Sequence, residues 1–535
     1  MQIFSETWPD EGLMKSIDRR ALHITLLVLG TLLIVTLAYV PILRAHPGWE
    51  DEVYFASTCL SILRHKGIAP SVLADYPSPI SPLRFYGPVL FWLGTAFLWF
   101  FGFSMRTWRT FGFAGNVILL AAVSALFYRI RNSWTTAALA AFVFSLSLGN
   151  SFGITLPGRM DSWTIAIVVF AIALVAKDSE REMDSGSRWV AFGALLGFAA
   201  VTTARSWPLL FLMVLLLPLL VPAHRVRAIG VTVISAFVVA SLLLLPLRMS
   251  LWGFIAYVRR ASQGDAVDVS PLMGGSWSFG HSWTQLAYYG ALLAMIGLVY
   301  RFNWSSLSRF QRWLFAVGVL NLTATLLLTA RALNMTAYWA FPLEIAAMCA
   351  ITEHSSARRM RVIRAGAFFL LGYMVMLRAA RELPALMHWH QRDPALIDAA
   401  MQPAIRPGSL VYGPSGRYFY PAIALGADYR SPVDWASVGR ASTPGRPNLP
   451  SPMREACRLP AYLIWPDEPG GPALPPHPHA ELRLVSVNSG QAEHRSVVER
   501  IVEAVPGGRS DQYQTAFTIY RLELDPQYCA QPAAE

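Results

Sequence analysis

The chain has 535 residues, of which 54% are hydrophobic and only 14% are charged, and its formal net charge is +11. Its mean hydropathy is positive, and apolar runs of about 20 residues, long enough to cross a bilayer as helices, recur over the first 380 positions. The composition excludes a soluble globular chain. The basic residues are spread over short loops such as "YRIRNSW" and "SSARRMRVIR", a pattern typical of cytoplasmic loops, so no nucleic-acid partner is expected.

The apolar runs predict a polytopic α-helical membrane protein with eleven spanning helices. They lie near residues 21–41, 110–128, 135–150, 162–176, 189–203, 208–222, 228–248, 284–300, 313–330, 337–352 and 364–380. A twelfth apolar run, 86–103, is predicted to lie along the membrane surface, because only then do all the basic loops face the cytoplasm. This arrangement places the loop 42–109, with its surface helices, on the extracytoplasmic side.

The last part of the chain differs in composition from the rest. From residue 381 to residue 535, Pro, Gly and polar residues increase, and short strand-like runs occur in "GSLVYG", "AYLIWP", "ELRLVSV" and "TAFTIYRLEL". We therefore predict a transmembrane domain, 1–380, followed by a small soluble α/β domain, 381–535, on the extracytoplasmic side. Cys457 and Cys529 both fall in this second domain, and an oxidising compartment would allow them to form a disulfide.

The stretch "HPGWEDEVYFASTCLSILRHKG" places three consecutive acids, Glu50, Asp51 and Glu52, between two hydrophobic segments. Apolar residues at helical spacing follow the acids and predict a helix that begins near Asp51. One explanation of the acids is structural, because carboxylates at a helix N-terminus interact favourably with the macrodipole. The other explanation is a functional site at the membrane surface.

A further acid favours the functional explanation. Asp161, next to Arg159, stands at the start of the fourth predicted spanning helix and on the same predicted side as the first acids. Ionisable residues at membrane level are costly and tend to mark a site, although a local pair of Arg159 and Asp161 would also account for them.

These residues resemble the GT-C glycosyltransferases, and in particular the family of protein O-mannosyltransferases, lipid A aminoarabinose transferases and rhizobial galacturonosyltransferases. That family carries an Asp-Glu pair at the start of a surface helix in its first extracytoplasmic loop. "WEDEVYFA" supplies this pair as Asp51 and Glu52, and Asp161 in "GRMDSW" matches the second acid of the family.

Three further segments are similar to the family pattern over the first 380 residues. Arg84 in "LRFYGPVLFW" takes the basic position before a surface helix, and Tyr338 in "MTAYWAFPL" lies at a late helix entry. In "TTARSWPLL", Arg205 and Ser206 replace the Lys-Gly pair of the family.

The resemblance implies a membrane glycosyltransferase of the bacterial inner membrane. It would move a sugar from a polyprenyl-phosphate-linked donor to an envelope lipid, glycan or protein on the periplasmic side, with inversion at the anomeric carbon. Asp51 would act as the base for the acceptor hydroxyl, and Glu52 and Asp161 would position the acceptor or the sugar.

Basic residues at predicted far-side helix ends are candidates for binding the donor phosphate, because a guanidinium fork suits phosphate oxygens. They are Arg84, Arg205 and Arg331, with Arg159 and Tyr338 also near the site. Ordinary interfacial placement of each arginine is the alternative. His281 in "SFGHSWTQ" is a candidate contact to the acceptor, or an ordinary loop residue. No cofactor is expected to be required; Asp51 and Asp161 could together hold a divalent metal ion, but no histidine motif supports one.

Two other functions remain open from the sequence. A transporter or flippase for lipid-linked sugars could use the same acids and arginines without chemistry. Transporters, however, typically have pseudo-repeated halves with broken helices at mid-membrane, whereas these acids cluster towards one surface. The other alternative is an inactive subunit of envelope assembly.

Overall fold

The fold is given by a computed structural model, which describes part of the chain. The described residues are 21–33, 39, 50–68, 86–145, 160–176, 186–221, 225–266, 290, 297, 307–328, 341–351, 394–413, 416–430, 455–467, 480–488 and 516–530.

Helices account for most of the described structure. They are α1 (Ala21–Leu33), α2 (Glu50–Leu63), α3 (Pro88–Phe101), α4 (Met105–Arg131), α5 (Trp134–Ser145), α6 (Asp161–Val175), α7 (Gly186–Ala200), α8 (Trp207–Leu215), α9 (Leu217–Leu220), α10 (Arg225–Leu244), α11 (Leu251–Ala266), α12 (Arg309–Leu328), α13 (Phe341–Ile351), α14 (Pro394–Met401), α15 (Phe419–Ala424) and α16 (Pro526–Ala530).

Two of the described helices are long and apolar enough to cross a bilayer. They are Met105–Arg131 and Arg225–Leu247, the second including a 3-10 turn that extends α10. Both coincide with predicted spanning helices. The predicted span 364–380 lies outside the described residues, as does 284–300 except for residues 290 and 297, so the count of eleven stays a prediction.

One predicted spanning helix, 208–222, is interrupted. It forms α8 and the single turn α9, separated at Leu216. The cause is Pro218, because proline has no backbone N–H to donate and its ring clashes with the carbonyl four residues earlier.

The aromatic run predicted at 86–103 forms helix α3, which ends in three exposed aromatic side chains. Trp99, Phe100 and Phe101 are each about 70% exposed, at 70%, 72% and 69%. Large aromatic rings are enriched where membrane meets water. The position of α3 along the membrane surface stays a prediction.

Helix α4 is stopped at both ends by side-chain and backbone caps. The Ser104 hydroxyl accepts a hydrogen bond from the Thr107 N–H at 3.1 Å, as an N-cap serine does. Asn132 adopts a left-handed conformation with φ of 49°, and its N–H donates to the Tyr128 carbonyl. These caps set the two ends of α4, which carries Arg109 near its N-terminus and Arg129 near its C-terminus.

Helices α7 and α10 pack at unusually close range. A Cβ atom on Gly193 would lie 2.3 Å from the Thr232 carbonyl oxygen, and one on Gly197 would lie 2.3 Å from that of Ala236. Glycines four residues apart allow two backbones to touch, which is a common way of packing helices in membranes.

The described C-terminal part contains a five-stranded mixed sheet of order β2-β1-β3-β5-β4. Its strands are β1 (Leu410–Tyr412), β2 (Asp428–Arg430), β3 (Ala461–Pro466), β4 (Ala480–Asn488) and β5 (Phe517–Leu524). β1 is parallel to β2 and β3, while β5 is antiparallel to β3 and β4. Strands form in all four predicted strand-like runs, and β2 adds an edge that the sequence did not predict. The proposed boundary at 380 lies outside the described residues.

The central strand β3 is buried on both faces. Tyr462 and Ile464 belong to an apolar cluster shared with α2 and α3, whereas Leu463 and Trp465 belong to a separate cluster on the other side of the sheet. One face of the sheet therefore shares an apolar cluster with the acidic helix α2. Cys457 and Cys529 form a disulfide, which joins the segment before β3 to α16.

Candidate active site

The carboxylate of Glu52 forms a fully buried ion pair. The Arg109 guanidinium donates from Nε to one Glu52 oxygen at 2.7 Å and from Nη2 to the other at 2.9 Å. Both side chains are 0% exposed. Two parallel hydrogen bonds fix the orientation of the guanidinium relative to the carboxylate. The first turn of α2 is thereby held against the N-terminal part of α4.

A tyrosine from the C-terminal part also reaches Glu52. The Tyr420 hydroxyl, on α15, donates a long hydrogen bond of 3.4 Å to a Glu52 oxygen, and the Phe103 ring packs 5.9 Å from the Tyr420 ring. Burial, reinforced by the negative charge of Glu52, holds the pKa of Tyr420 well above its ordinary value of 10. The phenol therefore stays protonated and remains a donor to the carboxylate.

The second acid is linked to α2 through two aromatic side chains. Asp161 is the first residue of α6 and is fully buried, and one of its oxygens accepts a hydrogen bond from the Tyr86 hydroxyl. The Tyr86 ring meets the Phe55 ring edge-on with 4.6 Å between centroids. Because Phe55 lies one turn after Glu52, the N-terminal ends of α2 and α6 meet around Tyr86.

Backbone contacts hold the segment that precedes Arg205 next to Gly87, the residue that follows Tyr86. The Gly87 N–H donates to the Thr202 carbonyl at 2.8 Å, and a Cβ on Gly87 would lie only 1.7 Å from the Val201 carbonyl oxygen. Only glycine fits this approach. The Thr164 hydroxyl of α6 donates to the Thr202 hydroxyl at 2.8 Å, and the Thr203 hydroxyl caps the 3-10 turn that carries Arg205. Asp161 and Arg205 thus stand on elements joined at Thr202.

The structure describes part of the set of residues predicted from the sequence. It places Asp51 in the first turn of α2, Glu52 and Asp161 in the buried contacts above, and Arg205 half-buried in its 3-10 turn. The other candidates lie outside the described residues: Arg84, Arg159, His281, Arg331 and Tyr338. Within the described part of the chain, no group of three or more His, Cys, Asp and Glu side chains is placed to hold a metal ion.

Three of the contact residues were not predicted. Arg109 had a usable signal, since an arginine bordering an apolar run requires a counter-ion. Tyr86 lies two residues after Arg84 in "LRFYGPVLFW", the segment in which the sequence predicts only Arg84 at the site. Tyr420 carries no signal at all, because it is 368 positions from Glu52.

Besides the Tyr420 contact, an ion pair links α2 to the C-terminal part. At the end of this helix, Arg64 pairs with Asp428 on β2 at 2.6 Å, with side chains 36% and 33% exposed. Burial alone would raise the pKa of Asp428, but the hydrogen bond and charge of Arg64 outweigh it, and the pKa lies below its ordinary value of 3.8. The acidic helix is thus held by the C-terminal part at both ends.

Asp428→Asn should weaken this contact slightly, because exposed pairs contribute only about 0.2–1 kcal/mol. The lowered pKa means that the contribution is complete above pH 3.8 and is lost as the pH falls through the folded-state value. Melting temperatures of the purified protein should therefore differ between wild type and Asp428→Asn at pH 7, and converge in acid.

The matched control for that experiment is Glu523→Gln. Glu523 pairs with Arg483 at 3.8 Å across two antiparallel strands. The Glu523 side chain is 43% exposed and the Arg483 side chain is 73% exposed. This change should be silent at every pH. A melting difference for Asp428→Asn that persists unchanged in acid would show that the Arg64 pair is not its cause.

No protein-family model and no curated protein matches the sequence. Solved structures do match the fold. ArnT from Cupriavidus metallidurans bound to undecaprenyl phosphate matches with a TM-score of 0.55 and 12% identity, over 92% of this chain and 97% of ArnT. The apo state of the same protein matches at 0.56 and 11%, with the same coverage. The apo oligosaccharyltransferase from Archaeoglobus fulgidus matches at 0.52 and 13%, over 83% of this chain and 69% of that protein.

Both matched proteins are GT-C superfamily members. The chain shares the fold of these two proteins. The resemblance stated from the Asp-Glu pair and Asp161 is therefore confirmed for the fold. At these identities the comparison bears on the fold alone, and the chemistry has to be argued from the residues of this chain.

Proposed function

We propose that this protein is a membrane glycosyltransferase that moves a sugar from a polyprenyl-phosphate-linked donor to an envelope acceptor. The observation that carries the proposal is the meeting of α2, α4 and α6, whose N-terminal ends bring Glu52, Arg109 and Asp161 together. The GT-C fold supports it, since ArnT of the same fold was solved with undecaprenyl phosphate.

Asp51 is the residue proposed to act as the base. The acceptor hydroxyl attacks the anomeric carbon, the bond from that carbon to the phosphate oxygen breaks, and its electron pair leaves with the phosphate. The hydroxyl proton passes to Asp51. A single displacement of this kind inverts the anomeric carbon and needs no glycosyl-enzyme intermediate.

Glu52 is proposed to position Asp51 rather than to react. Its two oxygens accept from Arg109, and Tyr420 adds a third donor. With both oxygens engaged by these donors, the carboxylate is held in one orientation. The pair thereby fixes the first turn of α2, where Asp51 stands.

Asp161 and Arg205 are proposed to contact the donor. Asp161 would orient the sugar from the start of α6, while the Arg205 guanidinium would stabilise the negative charge that develops on the departing phosphate. Arg84 and Arg331 are proposed to share this role, with Arg159, His281 and Tyr338 contacting donor or acceptor.

We further propose that the site and the C-terminal sheet face the periplasm, in a bacterial inner membrane. The disulfide between Cys457 and Cys529 supports this orientation, because disulfides persist in oxidising compartments. The acceptor would then be an envelope glycolipid, glycan or protein.

The proposal is tested in two steps. Mass spectrometry of envelope glycolipids and glycans, comparing a deletion strain with its parent, should reveal one missing sugar substituent. That sugar, linked to polyprenyl phosphate, is then supplied to the reconstituted protein, which should release polyprenyl phosphate as the acceptor gains the sugar. An unchanged envelope would contradict the proposal. Movement of the intact donor across the bilayer, without release of the carrier, would identify a flippase instead.

A further inference from the structure

Two buried threonine hydroxyls link the start of α6 to the segment that leads into Arg205. The Thr164 hydroxyl donates to the Thr202 hydroxyl at 2.8 Å, and both residues are 0% exposed. Thr164 follows Asp161 on α6 by about one helical turn. Thr202 precedes the 3-10 turn Ala204–Ser206, which carries Arg205. The hydroxyl pair therefore joins the elements that carry these two residues of the candidate site.

The direction of the hydrogen bond between the two threonines is fixed by a third group. The Thr202 hydroxyl donates its single hydrogen to the Ala199 carbonyl, in the last turn of α7, at 2.7 Å. Its oxygen therefore acts as the acceptor for Thr164. A side chain that donates and accepts at the same time cannot rotate without breaking a buried hydrogen bond, and leaving a buried polar group unpaired is costly. The two hydroxyls are thus held in one arrangement.

The backbone of Thr202 is held as firmly as its side chain. Its N–H donates to the Ala199 carbonyl at 3.1 Å, and its carbonyl accepts from the Gly87 N–H at 2.8 Å. Tyr86, the residue before Gly87, donates its hydroxyl to Asp161. Thr202 therefore connects three segments, namely the end of α7, the start of α6 and the entry to α3. Two of these segments, α6 and the entry to α3, reach Asp161.

We propose that the hydroxyl pair of Thr164 and Thr202 is a positioning element that sets the separation between Asp161 and Arg205. This inference rests on the proposed function, in which Asp161 orients the donor sugar and Arg205 stabilises the departing phosphate. The two groups would then act on either side of the bond that breaks, so their separation has to match the sugar-phosphate linkage. Charged groups that stabilise a transition state act well only when they are held in place beforehand. Both threonines act through their neighbours and neither would touch the donor.

The test compares Thr164→Val and Thr202→Val with the wild type in sugar transfer by reconstituted protein. Valine has nearly the shape of threonine and lacks the hydroxyl, so each change removes the hydrogen bond between the two residues. We expect kcat to fall by about tenfold to a hundredfold, since a misplacement of about 1 Å can cost about 10²-fold. The KM of the donor should stay near its wild-type value, because the charge that Arg205 would stabilise develops in the transition state. A merely structural role would lower the yield of folded protein and leave its kcat unchanged, which would overturn the proposal.

Serine variants keep the test decisive if a valine variant fails to fold. Thr164→Ser and Thr202→Ser retain the hydroxyl, and each should keep kcat near the wild-type value. The double variant Thr164→Val with Thr202→Val should have a kcat close to that of the slower single variant, because the two residues act as one pair. Serine variants as slow as the valine variants, or losses that multiply in the double variant, would also overturn the proposal.

Thr232→Val is the matched control. Thr232 is 0% exposed, and its hydroxyl has no hydrogen-bond partner within the described part of the chain. It lies on α10 beside Gly193, where α10 packs on α7. The same chemical change is thus made at an equally buried threonine, and both kcat and yield should be unchanged. A loss of kcat as large as that of Thr202→Val would show that removing any buried hydroxyl suffices, and would overturn the proposal.

Hydrogen–deuterium exchange tests the linkage without sugar transfer. Thr164 belongs to α6, whereas the Gly87 N–H belongs to the entry of α3. Because Thr202 joins the two, exchange of the peptide that contains Gly87 should become faster in Thr164→Val and stay unchanged in Thr232→Val. Unchanged exchange in Thr164→Val would overturn the proposal. Faster exchange together with a wild type that transfers no sugar would support the linkage and contradict the proposed function instead.

Discussion

Asp51→Asn should lower the turnover number by about 10²–10⁴-fold while the protein still folds and inserts, because general base catalysis typically contributes that much. Asparagine has nearly the size and shape of aspartate, so the change removes the charge without altering packing at the start of α2. The structure places Asp51 in the first turn of α2, where the loss of a carboxylate would otherwise cost only about 0.3–1 kcal/mol of macrodipole interaction. A large loss of turnover at unchanged yield would therefore show that Asp51 acts as a base and does not merely stabilise the start of the helix.

Glu50→Gln is the matched control, since Glu50 is the preceding residue of the same turn. It removes the same charge from the same helix end and should leave turnover nearly unchanged. The measurement is sugar transfer by reconstituted protein, with the yield of monodisperse protein in detergent as the check on folding. Near-normal turnover of Asp51→Asn would leave only the structural explanation for the acidic cluster.

Arg109→Met should destabilise the protein by about 3–5 kcal/mol, the largest loss of stability that we expect from a single change at the site. The reason is that it leaves the fully buried Glu52 carboxylate without its main cation. Tyr420 offers one long hydrogen bond, which cannot replace two short ones from a guanidinium. The melting temperature in detergent and the yield of folded protein measure this effect.

The double variant Glu52→Leu with Arg109→Met distinguishes positioning from chemistry. Replacing a buried ion pair by apolar side chains of similar volume is often neutral or stabilising, so the double variant should recover most of the stability lost in Arg109→Met. If Glu52 only positions the start of α2, turnover of the folded double variant should fall much less than that of Asp51→Asn. A folded double variant as inactive as Asp51→Asn would assign Glu52 a direct part in the reaction.

Much of this architecture follows from short-range patterns in the sequence. Runs of apolar residues of bilayer length predicted the helices that contain α4 and α10, and short β-rich runs predicted four of the five strands. Acids at helix starts likewise marked Glu52 and Asp161, because a carboxylate is stable near the exposed N–H groups of a first turn. Local features also explain the break in the predicted span 208–222, since Pro218 interrupts a run that hydropathy alone presents as continuous.

The partners of the acids were decided only by the tertiary structure. Arg109 is 57 positions from Glu52, Tyr86 is 75 from Asp161, and Tyr420 is 368 from Glu52. Helical and strand periods extend over a few residues, so they identify which side chains face inwards but not which of them meet. A buried carboxylate requires donors wherever the chain can bring them. Local patterns therefore indicate where the acids lie along the chain, whereas the contacts of α2 with α4 and with the C-terminal part select Glu52 as the acid that pairs with Arg109.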